Sequence, residues 1–242
     1  MAESATTFLT AEWRYLAMLT YEAEPSLLQP FVPRGTELDT CDGRALMSLV
    51  GFRFLHTRVL GWRVPFHQHF DEVNLRFYVR REMGGELRRG VAFVREVVPR
   101  HLVALVARLA YNEPYVALPM RSEVPEASGD APFRVRYGWR ISGRWQHLAL
   151  TAAGPSTLPL GRDDITFITD HQWGYSRQRD GSTLEYRVEH PLWSVWVGTQ
   201  AEVSGDMAHL YGPAIGATLA AAPDSAILAE GSSVRVFRPV PL

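Results

Sequence analysis

At 242 residues the chain is long enough for one large β-rich domain or two small ones, and 46% hydrophobic residues with 7 Trp, 11 Phe and 9 Tyr supply a sizeable core. A net charge of −1 argues against a nucleic-acid partner, which calls for a basic excess. All 25 basic residues are arginine, so no lysine amine is present for Schiff-base or general-base work. The single cysteine, Cys41, leaves no internal disulfide and fits a reducing cytoplasm. The first seven residues carry neither basic groups nor an apolar core, so no signal peptide is expected. No apolar run nears the roughly 18 residues of a membrane span, so the expectation is a cytoplasmic protein without a membrane partner.

In chain order, residues 8–22 read as an opening strand, although Ala and Met keep a helix open. Leu27, Leu28 and Phe31 between Pro25 and Pro33 form a short helical turn. Residues 37–40 and 44–55 form a hairpin around Cys41-Asp42-Gly43, because Asp-Gly supplies the positive φ of a tight turn. Residues 57–65 are loop, and His67-Gln-His69 leads into Phe70–Arg80. Gly84-Gly85 turns that stretch back into a strand over 89–98. Pro99 suits a first helical position, and Leu102, Leu105, Val106 and Leu109 recur at helical spacing up to Asn112. Residues 115–123 resume as strand, and Glu126 to Pro132 is loop. Residues 133–141 and 144–151 form a hairpin across Ser142-Gly143, and 152–161 is loop.

Asp163-Asp164 opens a helix, where the dipole favours negative charge. Residues 173–178 and 183–190 flank the turn Arg179-Asp180-Gly181-Ser182. A strand over 192–203, one Ala-rich helix from Met207 to about Ala221 and a strand over 233–237 close the chain. There is no repeat and no linker. The expectation is a single domain, residues 1–242, of α+β class: a mostly antiparallel, closed or nearly closed sheet with a few short helices.

Residues 70–80 alternate strictly. Val73, Leu75, Phe77 and Val79 point one way, and Glu72, Asn74, Arg76, Tyr78 and Arg80 the other. An acid, an amide, a guanidinium and a phenol in one row have the reach to hold a small polar ligand. The plainer alternative is a half-exposed sheet whose polar face is solvated.

Phe70-Asp-Glu-Val-Asn-Leu-Arg-Phe-Tyr-Val79, Gly90-Val-Ala-Phe93, Ala107-Arg-Leu-Ala-Tyr-Asn-Glu-Pro-Tyr115, His190-Pro-Leu-Trp193 and the run from Gly231 to Pro239 together resemble the YqjF-like bacterial proteins, a branch of the acetoacetate decarboxylase-like superfamily. The resemblance runs from Trp13 to Pro239. It implies a cone-like closed β-barrel with a few flanking helices and a ligand pocket inside. Superfamily decarboxylases carry a segment Gly-Arg-Glu-x-x-Gly-x-Pro-Lys whose lysine forms the imine. On this chain Ala107-Arg108 takes the Gly-Arg place, Pro114 the proline, and Tyr115 stands where the lysine would be. A phenol forms no imine, so that chemistry is closed to the chain. The resemblance further implies that Glu72 is the pocket acid.

The reading that follows places Glu72 and Tyr115 as acid–base residues, with Tyr78 as an alternative partner for Glu72. Asn74, Arg76, Tyr78 and Arg108 are the ligand-binding residues. The ligand is a small organic molecule with a keto or carboxylate group, without a cofactor, and homo-oligomerisation is left open. His67, His69 and Glu72 raise the alternative of a cupin-like metal site, but in a regular strand Glu72 faces away from the two histidines. Another alternative is a barrel filled by its own side chains that acts through protein partners. No Gly-x-Ser-x-Gly elbow or phosphate-binding glycine fingerprint is present. Cys41 beside Asp42 should have a raised thiol pKa. Trp193 and Trp196, three apart on a strand, should face opposite ways; one could line a pocket, but the favoured reading for both is aromatic core.

Overall fold

The computed structural model describes residues 6–99, 112, 114–125 and 130–242. The expected helix after Pro99, Arg108 and most of the loop from Glu126 lie outside these residues. The chain opens with β1 (Thr7–Glu22), followed by a helical turn (Pro25–Leu28) that tightens over Gln29–Phe31. Short β2 (Glu37–Leu38) and β3 (Thr40–Cys41) precede the long β4 (Arg44–Val59). Then come β5 (Trp62–Arg63), β6 (Phe70–Met83), β7 (Glu86–Val98), β8 (Tyr115–Ala117) and β9 (Met120–Glu123). The hairpin β10 (Phe133–Ile141) and β11 (Arg144–Ala152) leads to a helix, Asp163–Thr169, and a second hairpin, β12 (Trp173–Arg177) with β13 (Thr183–Glu189). After β14 (Val195–Ser204) two helices, Met207–Tyr211 and Pro213–Leu219, precede β15 (Ser225–Phe237) and β16 (Val240–Pro241).

The expected boundaries fail in several places, among them the closing strand, which begins at Ser225 rather than Ser233. β2 pairs with β6 rather than closing the first hairpin, and only β3 turns into β4. Residues 57–65 are not a plain loop: β4 runs on to Val59 and pairs with β5 across Leu60-Gly61, both at positive φ. The strand expected over 115–123 is split, with β8 parallel to β7 and β9 on β10. The Ala-rich helix is two helices, because Gly212 adopts φ 87° and Pro213 starts the second one without a backbone N–H to give.

The sheet is mostly antiparallel, with parallel pairing of β7 to β8 and to β12. Its pairings run in a ring, β1–β4–β6–β7–β12–β13–β15 and back to β1. From β15 a wing of β14, β11, β10 and β9 folds over the outside. The apolar residues of β6 (Val73, Leu75, Phe77, Val79) join Tyr137, Trp139, Leu148 and Leu150 of the wing in one core. Trp196 belongs to that core as well. The packing is close: a Cβ on Gly51 would lie 2.7 Å from the Tyr137 ring.

Two bulges decide what faces the interior of the ring. Tyr15 sits at φ 52° where β1 slips register against β4, and the hydroxyl of Tyr137 donates to its carbonyl at 2.8 Å. The extra residue lets both Trp13 and Leu16 turn inward. On β7, Val94 is the extra residue between the pairs Phe93–Arg76 and Arg95–Leu75, so Phe93 and Glu96 share the inner face.

Candidate functional site

Inside the ring lies a cavity of about 180 Å³. It runs along the polar face of β6, from Phe70 at the mouth past Glu72 and Asn74 to Arg76 at the floor. The solvated-face alternative fails here, since Glu72 is 2%, Asn74 3%, Arg76 9% and Tyr78 1% exposed. The helix Asp163–Thr169 lies against the floor, where Arg76 Nη2 donates to the carbonyl of Ile168 at 2.9 Å and contacts the Met18 sulfur at 3.7 Å. No carboxylate lies within ion-pairing distance of Arg76 among the described residues, and its Nε is buried without a partner.

Glu72 is held from two sides. Asn74 Nδ2 donates to Oε1 at 2.9 Å, and the Tyr115 hydroxyl donates to Oε2 at 3.1 Å. Burial pushes the carboxyl pKa up to about 7, and the two hydrogen bonds pull it back only in part. A carboxyl that is half-protonated near neutrality can give or take a proton. Tyr78 is not its partner. It shares the face, but its hydroxyl bonds Ser48 at 2.6 Å, and Ser48 bonds Thr20 at 2.8 Å, beneath the cavity floor.

Several lining residues escaped the sequence reading. Glu96 is brought inward by the Val94 bulge, which period-two alternation cannot show. His171 and His190 lie just outside regular elements and carry no periodic signal. His171 is buried with neither ring nitrogen partnered, 4.8 Å from the Tyr78 ring. Burial, and then the Arg76 charge, hold it well below the ordinary imidazole pKa, so it is neutral. His190 stacks on Trp193 at 4.1 Å, and its pKa is lowered chiefly by burial. Both tryptophans are core aromatics, and Trp193, which precedes β14 rather than lying on it, also lines the cavity.

The metal alternative finds no convergence. His67 stands at the rim with Nδ1 near the Pro65 carbonyl, and His69 packs against His56 at 5.0 Å. Among the described residues no three His, Cys, Asp or Glu side chains are grouped to hold a metal. Cys41 is buried, and desolvation, followed by Asp42, raises its pKa. Among the described residues no helix is long and apolar enough to cross a membrane.

A relative from Bacillus subtilis strain 168, the uncharacterized protein YqjF, is 31% identical over 120 residues, 49% of this chain and 47% of the relative. The match thus spans about half the relative's length. Solved structures extend the likeness to the whole fold. Acetoacetate decarboxylase from Legionella pneumophila superposes with a TM-score of 0.66 at 12% identity, covering 97% of this chain and 87% of that one. An acetoacetate decarboxylase-like enzyme from Sphingomonas wittichii RW1 gives 0.64 at 14% identity, over 98% and 93%. The enduracididine biosynthesis enzyme MppR complexed with pyruvate gives 0.63 at 14%, over 99% and 92%. At these identities the likeness is one of fold. Residues 10–233 match the family DUF2071, described as an uncharacterized conserved protein, and the chain therefore belongs to that family and carries an acetoacetate decarboxylase-like fold.

Proposed function

We propose that the ring acts as a closed barrel that binds a small organic acid, with a carboxylate or keto group, and handles a proton on it without forming a lysine imine. The observation that carries this reading is Arg76: a guanidinium buried on a cavity floor with no carboxylate beside it among the described residues. A buried unpaired cation costs several kcal/mol unless an anion joins it, and a carboxylate gains oriented, charge-assisted bonds there. The fold's likeness to MppR, which is solved with pyruvate, supports a small-molecule interior. The cavity of about 180 Å³ weighs against a barrel filled by its own side chains.

In this reading Arg76 anchors the anion and Glu72 is the acid–base group, with its carboxyl poised near neutrality. Tyr115 fixes the direction of the Glu72 carboxyl, and Asn74, between the two, keeps Oδ1 without a protein partner for the ligand. With no lysine in the chain, the amine route is absent. Native mass spectrometry of gently purified protein tests the reading. A retained small acid is expected, lost in Arg76→Ala and weakened in Glu72→Gln. If both variants retain it as wild type does, the site is elsewhere.

A further inference from the structure

We propose that the ligand is an amphiphilic monocarboxylate: its carboxylate sits on Arg76 and His171, and an apolar body of about one phenyl ring fills the aromatic collar above. This rests on the interior being a ligand site and goes further by fixing what the rest of the ligand is made of.

The floor supplies unspent polar capacity. Arg76 gives Nη2 to the Ile168 carbonyl and the Met18 sulfur, while Nε has no partner. His171, 7% exposed, has both ring nitrogens unpartnered. The two residues share Tyr78: its ring centroid lies 5.8 Å from the Arg76 guanidinium carbon and 4.8 Å from the His171 ring. Buried polar groups are normally satisfied, and leaving several orphaned in one place marks a missing acceptor. An anion meets both needs, since it compensates the cation and accepts from an imidazole N–H.

Above the floor the chemistry changes. Phe54 and Phe70 stack at 4.6 Å and 13°, and Phe52 lies 5.2 Å from Phe54. Trp13 meets Phe52 and Phe54 edge-on at 5.5 and 5.8 Å, and Trp193 at 6.3 Å. The result is a continuous aromatic wall on one side of the cavity. Glu72, at the level of Phe52 by strand pairing, is about 13 Å along the strand from Arg76. A two- or three-carbon acid on Arg76 therefore stops short of the collar and leaves apolar rings facing water. A phenyl-bearing acid extends further up the cavity and carries its ring toward that wall and the level of Glu72.

The test is calorimetric titration with four probes: 3-phenylpropanoate, propanoate, pyruvate and 3-phenylpropan-1-ol. We expect 3-phenylpropanoate to bind about tenfold or more tighter than each of the others, from burial of its ring against the two short acids and from its charge against the alcohol. In Arg76→Met the advantage over the alcohol should vanish while a ring-dependent residue of binding survives. Propanoate or pyruvate binding as tightly as 3-phenylpropanoate overturns the collar and leaves the organic-acid site standing. The alcohol binding as tightly overturns the carboxylate floor. If none of the three acids binds, the organic-acid reading falls together with this one.

Discussion

The hydroxyl of Tyr115 donates to Glu72 Oε2 at 3.1 Å. The contact puts a phenol and a carboxyl with a pKa of about 7 in direct hydrogen bond inside the cavity.

The carboxyl pKa makes stability fall as pH rises. Folded Glu72 titrates near 7 against an ordinary 4.5, so between those values the folded state holds more protons than the unfolded chain. The contribution is full below pH 4.5 and lost as pH rises through 7, in total about 3 kcal/mol. Urea unfolding across this range should show Glu72→Gln more stable than wild type at pH 8 and the difference shrinking toward pH 5. Tyr115→Phe removes a bond that favours the carboxylate, so it should shift the slope to higher pH. His171 works in the opposite sense: its lowered pKa costs stability as pH falls below its ordinary 6.5. The acid side of the Glu72→Gln profile should therefore fall. An unchanged slope in that variant would show that Glu72 titrates as an ordinary carboxylate.

Arg76→Met should stabilise the ligand-free protein by about 1–3 kcal/mol, because it removes a buried charge that lacks a carboxylate and substitutes an apolar chain beside Met18. Chemical denaturation measures this directly. A loss of stability instead would mean that the Ile168 carbonyl and nearby dipoles already compensate the guanidinium.

Gly231→Ala should cost about 3 kcal/mol or more. Gly231 holds φ 81° opposite Arg14, and a Cβ there would lie 1.9 Å from the Trp13 carbonyl oxygen. The clash falls beside the Tyr15 bulge, so the fluorescence of Trp13 should change along with stability. Thermal melts with tryptophan emission check both; a neutral variant would mean that β1 and β15 can part here without penalty.

Incubation with acetoacetate and borohydride should leave no adduct on any side chain. The chain has no lysine, and arginine, with a pKa above about 12, holds almost no free base. Intact and peptide mass analysis checks this. A reductively trapped adduct away from the N-terminus would refute it.

Period-two alternation made β6 legible, with its core face and its polar face, and positive-φ pairs such as Ser142-Gly143 marked the tight turns. What alternation could not show was each place where a strand breaks its own period. The inward turn of Leu16 depends on Tyr15 taking a left-handed backbone, which its own side chain disfavours and which the Tyr137 bond holds. The inward turn of Glu96 depends on one extra residue at Val94. His171 was invisible for another reason: it is functional in this reading only through what surrounds it in space, and its sequence neighbours carry no pattern. The break at Gly212-Pro213, by contrast, was written in the chain, since proline ends a helix wherever it falls.

In backbone pairing among the described residues, the hairpin of β12 and β13 joins its ring neighbours only through short registers, although Arg81 and Arg88 pair with Glu185 and Arg235 with Glu189. It meets β7 through two residue pairs, Trp173 with Gly90 and Gly174 with Val91, and β15 through two, Val188 with Val236 and Glu189 with Arg235. Everywhere else the ring is stitched by long registers. Its backbone ladder thus has a short latch on each side, and the hairpin carries Trp173, Tyr186 and Val188 of the cavity wall. Amides in these latches should exchange with deuterium sooner than those of the β1–β4 seam. A ligand that touches Val188 and Val236 together bolts one latch shut, so its binding should register first as slowed exchange there, before any change in global melting.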